Sequence, residues 1–464
     1  MSFLGAQNSI ALGVQGLIHI DTGGGAGGSA DYLLAKSLRF RSSASAYLNR
    51  TPAVAGSRTT WTWSGWVKRG TLGSSNVIIS LQSSSGVSQS YLTFIVLFTA
   101  ADVLQVIATD VLGGSDLQLV TTQVFRDPAA WYHITVALDT TQATASNRVK
   151  IYANGAQITA FGTAIYPVQN YQPFWNNNQA LYTGYWPGGP NYFDGEMAEV
   201  NFVDGQALAP TAFGAYSIYN QWLPIRYAGT YGTNGFYLPF TNTTSTSTLV
   251  ADSSGNANNW TPNNISLTAG STYDSLTDVP TLTSATVANY AVLNPLTLSY
   301  GTLSEANLKY VGNGVNHDMI VATLAQSTGK WYFETTLTSN ISMSGVVNLN
   351  SYTPRTSPTY PGGNAASWGY YPDPASPGIY NNAAITNVVA SAANGDIVGI
   401  ALDCDAGTIS WYKNNSLLIT KTIGAGNWGF VVGHLNANCV VTYGQRPFTY
   451  TAPSGFLPLN TFNI

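Results

Sequence analysis

Three carboxylates in the segment Phe193-Asp194-Gly195-Glu196-Met197-Ala198-Glu199-Val200 have the spacing in this chain that comes nearest to acid–base chemistry. Retaining hydrolysis of a glycosidic bond needs two carboxyl groups about 5 Å apart, one as nucleophile and one as acid. On a strand, Asp194 and Glu196 share a face, whereas Glu199 joins them only through a bulge. The segment therefore poses a hydrolase as an alternative, and the expectation is a chain that is not an enzyme. Nothing else in the sequence strengthens the catalytic case. His19, His133, His317 and His434 are the only histidines. His133 lies inside an apolar strand, which predicts a hydrogen-bonded core histidine. His317-Asp318 and His434 lie near turns and belong to no recognisable pattern. There is no nucleophile-elbow Gly-x-Ser-x-Gly, no His-Glu-x-x-His and no phosphate loop with a following Lys. Asp194, Asp204, Asp252 and Asp403 are scattered without calcium-loop spacing, so neither a metal nor a cofactor is expected.

Aromatic density points instead to binding. Tyr171, Phe174, Trp175, Tyr182, Tyr185, Trp186 and Tyr192 crowd a stretch that also holds Asn176-Asn177-Asn178 and Pro187-Gly188-Gly189-Pro190. Flat rings against sugar C–H surfaces, with amides for the hydroxyls, suit a neutral glycan. Alternating aromatics also fill sandwich interiors, and the loop-like Trp175 and Trp186 are the expected exceptions. The candidates here are Trp175, Asn176, Asn177, Tyr185 and Trp186. A second segment of note is the turn-rich run from Tyr352 to Asn364, which carries Tyr352, Arg355 and Tyr360; its contact role is what the family resemblance given below implies.

The elements that would position these residues are strands. Of 464 residues, 17 are basic and 21 acidic, so charged residues make up 8% against roughly 25% in an average soluble protein. Long amphipathic helices lack the charges for a solvent face. A net charge of −4 without a basic run disfavours nucleic acid as a partner, and 45% hydrophobic residues argue for a packed core. Short segments rich in β-branched and aromatic residues recur. They include Leu38–Phe40, Thr60–Val67, Leu92–Phe98, Trp131–Leu138 and Val149–Ala153, the last followed by the hairpin turn Asn154-Gly155. A second set comprises Lys330–Leu337, Ile397–Leu402, Thr408–Lys413 and Cys439–Tyr443. Cys404 and Cys439, the only cysteines, are read as buried thiols, although one bridge between them stays open. No apolar run reaches the roughly 18 residues of a membrane span, and Met1–Gly28 lacks the basic start of a secretory signal.

The fold class read from this pattern is all-β, with two antiparallel β-sandwiches of jelly-roll type in tandem behind a short N-terminal anchor. The boundaries are 1–30 for an anchor with a Gly-rich hinge, 31–245 for the first sandwich, 246–308 for a Thr/Ser/Asn-rich connector, 309–450 for the second sandwich and 451–464 for a tail. Leu38-Arg39-Phe40, Trp63-Ser64-Gly65-Trp66-Val67, Trp131 to Val136, Lys150 to Gly155 and Phe193 to Val200 follow one another in the order of a laminin-G-like, concanavalin A-like domain. The first half resembles that family. Certain glucanases of this class carry Glu-x-Asp-x-x-Glu; the order here is Asp-Glu-Glu, and Gly195 and Ala198 suit the non-catalytic version of the strand equally well. The second half resembles a SPRY domain through Gly329 to Glu334, Gly395 to Asp403, Ile409 to Asn415 and Tyr443 to Phe448. Loops between SPRY strands form a binding face, which is what the resemblance implies for Tyr352 to Asn364.

Together the two modules and the Asp252-Ser253-Ser254-Gly255-Asn256…Trp260 joint resemble fibre-type virion proteins of tailed bacteriophages. The resemblance implies a structural protein made in the host cytoplasm without a signal peptide and located in the virion. Residues 1–22 would contact other virion proteins, the modules would bind a host-surface glycan or envelope receptor, and the chain would form a homotrimer. Neither nucleic-acid binding nor membrane insertion is implied. The alternative is a capsid decoration or cement protein contacting other virion proteins, with a concanavalin A-like glycosidase third.

Overall fold

A computed structural model describes residues 32–82, 93–109, 116–189, 191–355 and 359–464. The expected anchor and hinge, 1–30, lie outside these residues. Each expected strand forms, with ends shifted by at most a few residues. Asn154 and Gly155 both take positive φ, 48° and 80°, in the turn that closes the hairpin after Val149–Ala153. Among the described residues no helix is long and apolar enough to cross a membrane.

The first sandwich packs two eight-stranded sheets. One runs Ala156–Ile158, Val149–Ala153, Trp131–Asp139, Thr60–Arg69, Gly195–Asp204, Ser37–Phe40 and Ser275–Leu276, with Phe236–Leu238 also on Gly195–Asp204. The other runs Phe161–Ile165, Leu117–Val124, Val103–Thr109, Thr93–Phe98, Asn76–Gln82, Leu181–Thr183, Tyr47–Arg50 and Thr261–Asn263. Between them lies a fully buried core that includes Trp61, Trp63, Phe94, Val96, Val136 and Phe202. The second sandwich packs a sheet around Lys330–Leu337 and Ile397–Asp403 against a six-stranded sheet around Trp428–Gly433 and Met343–Asn348. Its core holds Phe333, Tyr370, Trp411, Phe430 and Tyr443. Cys404 and Cys439 are buried free thiols.

The connector is more than a spacer. Its first part completes the first sandwich: Thr261–Asn263 adds a strand beside Tyr47–Arg50, and Leu249, Val250, Trp260 and Ile265 enter the core. Asp252 shapes the Asp-Ser-Ser-Gly-Asn loop by accepting from the amides of Tyr237, Ser254 and Asn258. The later part belongs to the second sandwich, where Leu276, Tyr290 to Leu293 and Leu303 are core residues. The tail is integral too, since Leu457–Pro458 pairs in parallel with Lys330–Leu337 and Leu459 is buried.

Close to half of the chain's few charges are out of solvent, and several of them gather where the sandwiches meet. Lys68 Nζ lies 2.6 Å from Asp278, which also accepts from Trp131 Nε1. Arg39 and Arg41 share Asp274 at 3.0 and 2.8 Å. Asp194 accepts from the amides of Ser42, Glu305 and Ala306 and from the Ser42 hydroxyl. Glu305, Ala306 and Asn307 are consecutive left-handed residues, with φ of 60°, 61° and 58°, a conformation disfavoured for side chains with a Cβ. Successive amides aimed inward make a concavity for an anion, and the Asp194 carboxylate fills it. Asp194→Ala is expected to lower stability by about 3–5 kcal/mol, because the buried amides of Glu305 and Ala306 and the half-buried Ser42 lose their acceptor. The exposed Asp405→Ala is expected to change it by under about 0.5 kcal/mol. Urea unfolding midpoints compare the two, and equal small effects would count against the clasp.

Candidate functional site

The acidic constellation is assembled but enclosed. A bulge between Ala198 and Asn201 lets Glu199 take φ of 52°, turning its side chain to the face that carries Glu196. That face is covered by the connector. Asp194, Glu196 and Glu199 are 1%, 0% and 4% exposed. Asp194 is spent on the clasp. Glu196 accepts from Ser37 and has Asp278, Lys68 and Arg39 around it, with burial pushing its carboxyl well above the ordinary range. Glu199 accepts from the hydroxyls of Tyr32 and Tyr237 at 2.8 Å each, and burial raises its pKa to about 7. A polysaccharide has no path to any of the three.

His133 is the hydrogen-bonded core residue its position predicts. Its Nδ1 accepts from Trp222 Nε1 at 3.0 Å, so Nε2 carries the proton and donates to Ser64 Oγ at 2.8 Å. Burial lowers its pKa to about 3, which keeps the ring neutral.

The two loop-like aromatic candidates separate. Trp175 is wholly buried, with Trp61, Phe94 and Phe202 at ring-centroid distances of 6.3, 5.6 and 5.8 Å. Asn176, at φ of 66°, is equally buried and donates to Asp204 and to the Ser57 carbonyl. Both are corrected from contact residues to core residues: the local turn hides the way this segment folds under the sheet edge. Asn177 stays half-buried, and its side chain accepts from the Asn178 amide.

Tyr185 and Trp186 do stand on a half-exposed hairpin, paired with Tyr192 and Asn191. Trp186 lies over Gly188 and Gly189, leaving no room there for a Cβ. Tyr185 stacks on Tyr192 at 4.6 Å and 19° between planes, and Tyr47 lies 4.8 Å from Tyr185. Tyr182 meets Tyr185 edge-on at 5.5 Å. Ser80 Oγ donates to the Tyr185 carbonyl at 2.6 Å, anchoring the hairpin over strand Asn76–Gln82. Beside these rings the register sets Asn49 opposite both Tyr182 and Thr261, and Asn263 opposite Tyr47. Asn263 Nδ2 donates to Asn49 Oδ1 at 2.7 Å. Four tyrosines and two carboxamides thus share one outer sheet face, all half-buried. Tyr47, Asn49 and Asn263 are absent from the sequence-derived set. The alternation Tyr47-Leu48-Asn49-Arg50 signals their common face, but only the fold joins it to Asn263.

In the second sandwich, Tyr352 is 9% exposed and caps an outer cluster of Met319, Val321, Val347 and Val431. It also lines a cavity of about 390 Å³ with Asn294, Thr297, Leu349 and Pro354. Arg355 is exposed at φ of 67°. Tyr360 is half-buried against His317, 4.6 Å between centroids. Tyr352 therefore anchors the segment, and Arg355 and Tyr360 remain for contact.

Residues 42–211 match the family model of the concanavalin A-like lectin/glucanases superfamily, and residues 330–430 match the SPRY domain. Both modules expected from the sequence are present. Among solved structures, the SPRY domain of human HERC1 is similar at 15% identity, covering 32% of this chain and 96% of that one, with a TM-score of 0.28. The TRIM65 PSpry domain is similar at 17% identity over 33% of this chain and 91% of that one, TM-score 0.28. Stonustoxin is similar at 22% identity over 33% of this chain and 27% of that one, TM-score 0.28. No curated protein matches the chain.

The raised pKa of Glu199 has a measurable consequence. Between pH 4.5 and about 7 the folded carboxyl keeps a proton that the unfolded chain releases, so stability is lost as pH rises through this window. Glu199→Gln removes that loss. Its stability relative to the parent is expected to improve by up to about 3 kcal/mol between pH 4 and pH 8. Parallel melting-temperature profiles for the two proteins across that range would contradict the assignment.

Proposed function

We propose that this chain, a concanavalin A-like sandwich followed by a SPRY sandwich, is a non-enzymatic bacteriophage virion protein that attaches the particle to a neutral glycan on the host surface. The observation that carries this reading is the outer-face patch of Tyr47, Tyr182, Tyr185 and Tyr192 beside Asn49 and Asn263. Tyrosine faces offer apolar contact for sugar C–H groups, and the carboxamides donate to and accept from hydroxyls. The patch has no charged side chain among these six, so recognition would persist at salt concentrations that screen exposed ion pairs. Enclosure of Asp194, Glu196 and Glu199 supports the non-enzymatic part. Residues 1–22, outside the described residues, are assigned the contact with other virion proteins. A homotrimer would multiply weak glycan contacts through avidity.

A second reading, capsid decoration, is favoured by the turn that exposes Tyr216, Ile218 and Tyr219 at 50%, 73% and 53%. Apolar tips of this kind suit a protein neighbour. Deleting residues 1–28 from phage-borne protein separates the two: loss of adsorption at normal particle stability indicates an adhesin, and loss of particle stability indicates a cement.

For the glycan reading, Tyr185→Ala combined with Tyr192→Ala is expected to weaken binding at least about tenfold, roughly 1.4 kcal/mol. The glycan is the one found by array screening and whole-cell binding of the parent. Arg355→Ala is expected to leave it unchanged. A parent that binds no glycan and no host envelope preparation, or a tyrosine variant of parental affinity, would sink the proposal.

A further inference from the structure

His317 and His434 are 117 positions apart in a chain with four histidines, yet their ring centroids lie 4.8 Å apart with planes at 59°. The fold brings them together through the first rung of a ladder. Met319 pairs with Gly433 at the start of strand Met319–Gln326 and the end of strand Trp428–Gly433, and the His434 amide donates to the Asp318 carbonyl at 3.2 Å. Tyr360 packs on His317 at 4.6 Å, and Tyr371 packs on His434 at 5.3 Å. His434 holds φ of 120°, a conformation that side chains with a Cβ rarely adopt. Such strain is kept only where the surroundings enforce it.

The unusual feature is what the rings do not bond. Nδ1 of each imidazole is shielded from solvent and has no hydrogen-bond partner among the described residues. Buried ring nitrogens normally find one, and in this protein His133 satisfies both of its own. Two neighbouring imidazoles with idle nitrogens call for a shared electron-pair acceptor.

We propose that His317 and His434 together bind one divalent transition-metal ion of the imidazole-seeking type. Copper, nickel and zinc suit imidazole, with copper the tightest at a given nitrogen site. Ring nitrogens bind such ions at about 2.0–2.1 Å, so binding would turn two rings already 4.8 Å apart onto one common point. Among the described residues no third His, Cys, Asp or Glu completes a cage; both histidines are half-buried, so turning their rings outward onto an ion would let water supply its remaining ligands. Asp373, held by the Tyr371 hydroxyl at 3.0 Å, adds negative charge near His434. The bound ion would tie the chain ahead of Met319 to the chain behind Gly433, directly under Tyr360.

The test is calorimetric titration of the untagged full chain with Cu²⁺, Ni²⁺ and Zn²⁺. One equivalent is expected to bind, and His317→Ala or His434→Ala each to weaken it by at least about tenfold. The double variant is expected to lose the site, while His19 and His133 remain in every protein as internal controls. Binding by the double variant at parental affinity, or no binding by the parent, overturns the proposal. A second measurement needs no variant to fold: copper-loaded parent should show electron-spin coupling to two nitrogens, and a spectrum with one or none overturns the assignment.

Discussion

The Asp194 carboxylate, held by the amides of Glu305 and Ala306 in a left-handed turn of the connector and by Ser42, is the contact on which the arrangement of the two sandwiches depends. A nest of amides is attractive to an anion but expensive to form from Glu305, Ala306 and Asn307, none of which is glycine. The carboxylate and the turn therefore stabilise each other, and neither has a reason to exist alone. Gly70 takes part because a Cβ there would sit 2.4 Å from Asp194 Oδ1. Around this clasp, Lys68 with Asp278 and Arg39 with Arg41 on Asp274 extend the same logic. Buried pairs add little net stability but are costly to break, so they fix one docking geometry. A chain with few charges has placed many of them where they determine orientation.

That choice decides which faces are left for binding. The sheet containing Gly195–Asp204 turns its outer face to the connector, where Leu34, Trp66, Trp131, Trp222 and Val279 form a further cluster. The carboxylates that could have served hydrolysis lie on that covered side. The opposite sheet keeps its outer face open, and there the tyrosine hairpin sits on strands Asn76–Gln82, Leu181–Thr183 and Tyr47–Arg50. The two sheets thus differ on their outer faces, with buried charge on one and half-buried tyrosines and carboxamides on the other.

The strands were legible because their information is local: alternation in Thr60–Val67 and the Asn154-Gly155 turn need no knowledge of distant residues. The bulge needed for Glu199 to join Glu196 was legible as a requirement, and the strand meets it. What stayed hidden was long-range. Trp175 and Asn176 read as loop residues by their neighbours, yet Phe94, Phe202 and Asp204, which bury them, are 27 to 81 positions away in the chain. The Thr/Ser/Asn-rich composition of 246–308 reads as a connector that partly packs on its neighbours, but its polarity is that of loops and names no partner for any side chain. In the fold those side chains satisfy partly buried groups: Asp252 accepts from the Tyr237 amide, and Asn258 donates to the Gly235 carbonyl and accepts from the Arg50 guanidinium.

The same argument explains why the binding patch was only half visible. Tyr182, Tyr185 and Tyr192 stand close in sequence, so their density was apparent. Tyr47 and Asn263 approach from strands 216 positions apart, and no local signal connects them. This face is complete only after the connector has added the edge strand Thr261–Asn263 to the sheet. The connector that clamps the two sandwiches together is also the element that finishes the patch. Loosening the joint upstream of residue 264 would therefore disturb this tyrosine–carboxamide face, whereas loosening it at the Asp194 clasp would alter the relative placement of the modules and leave the face intact.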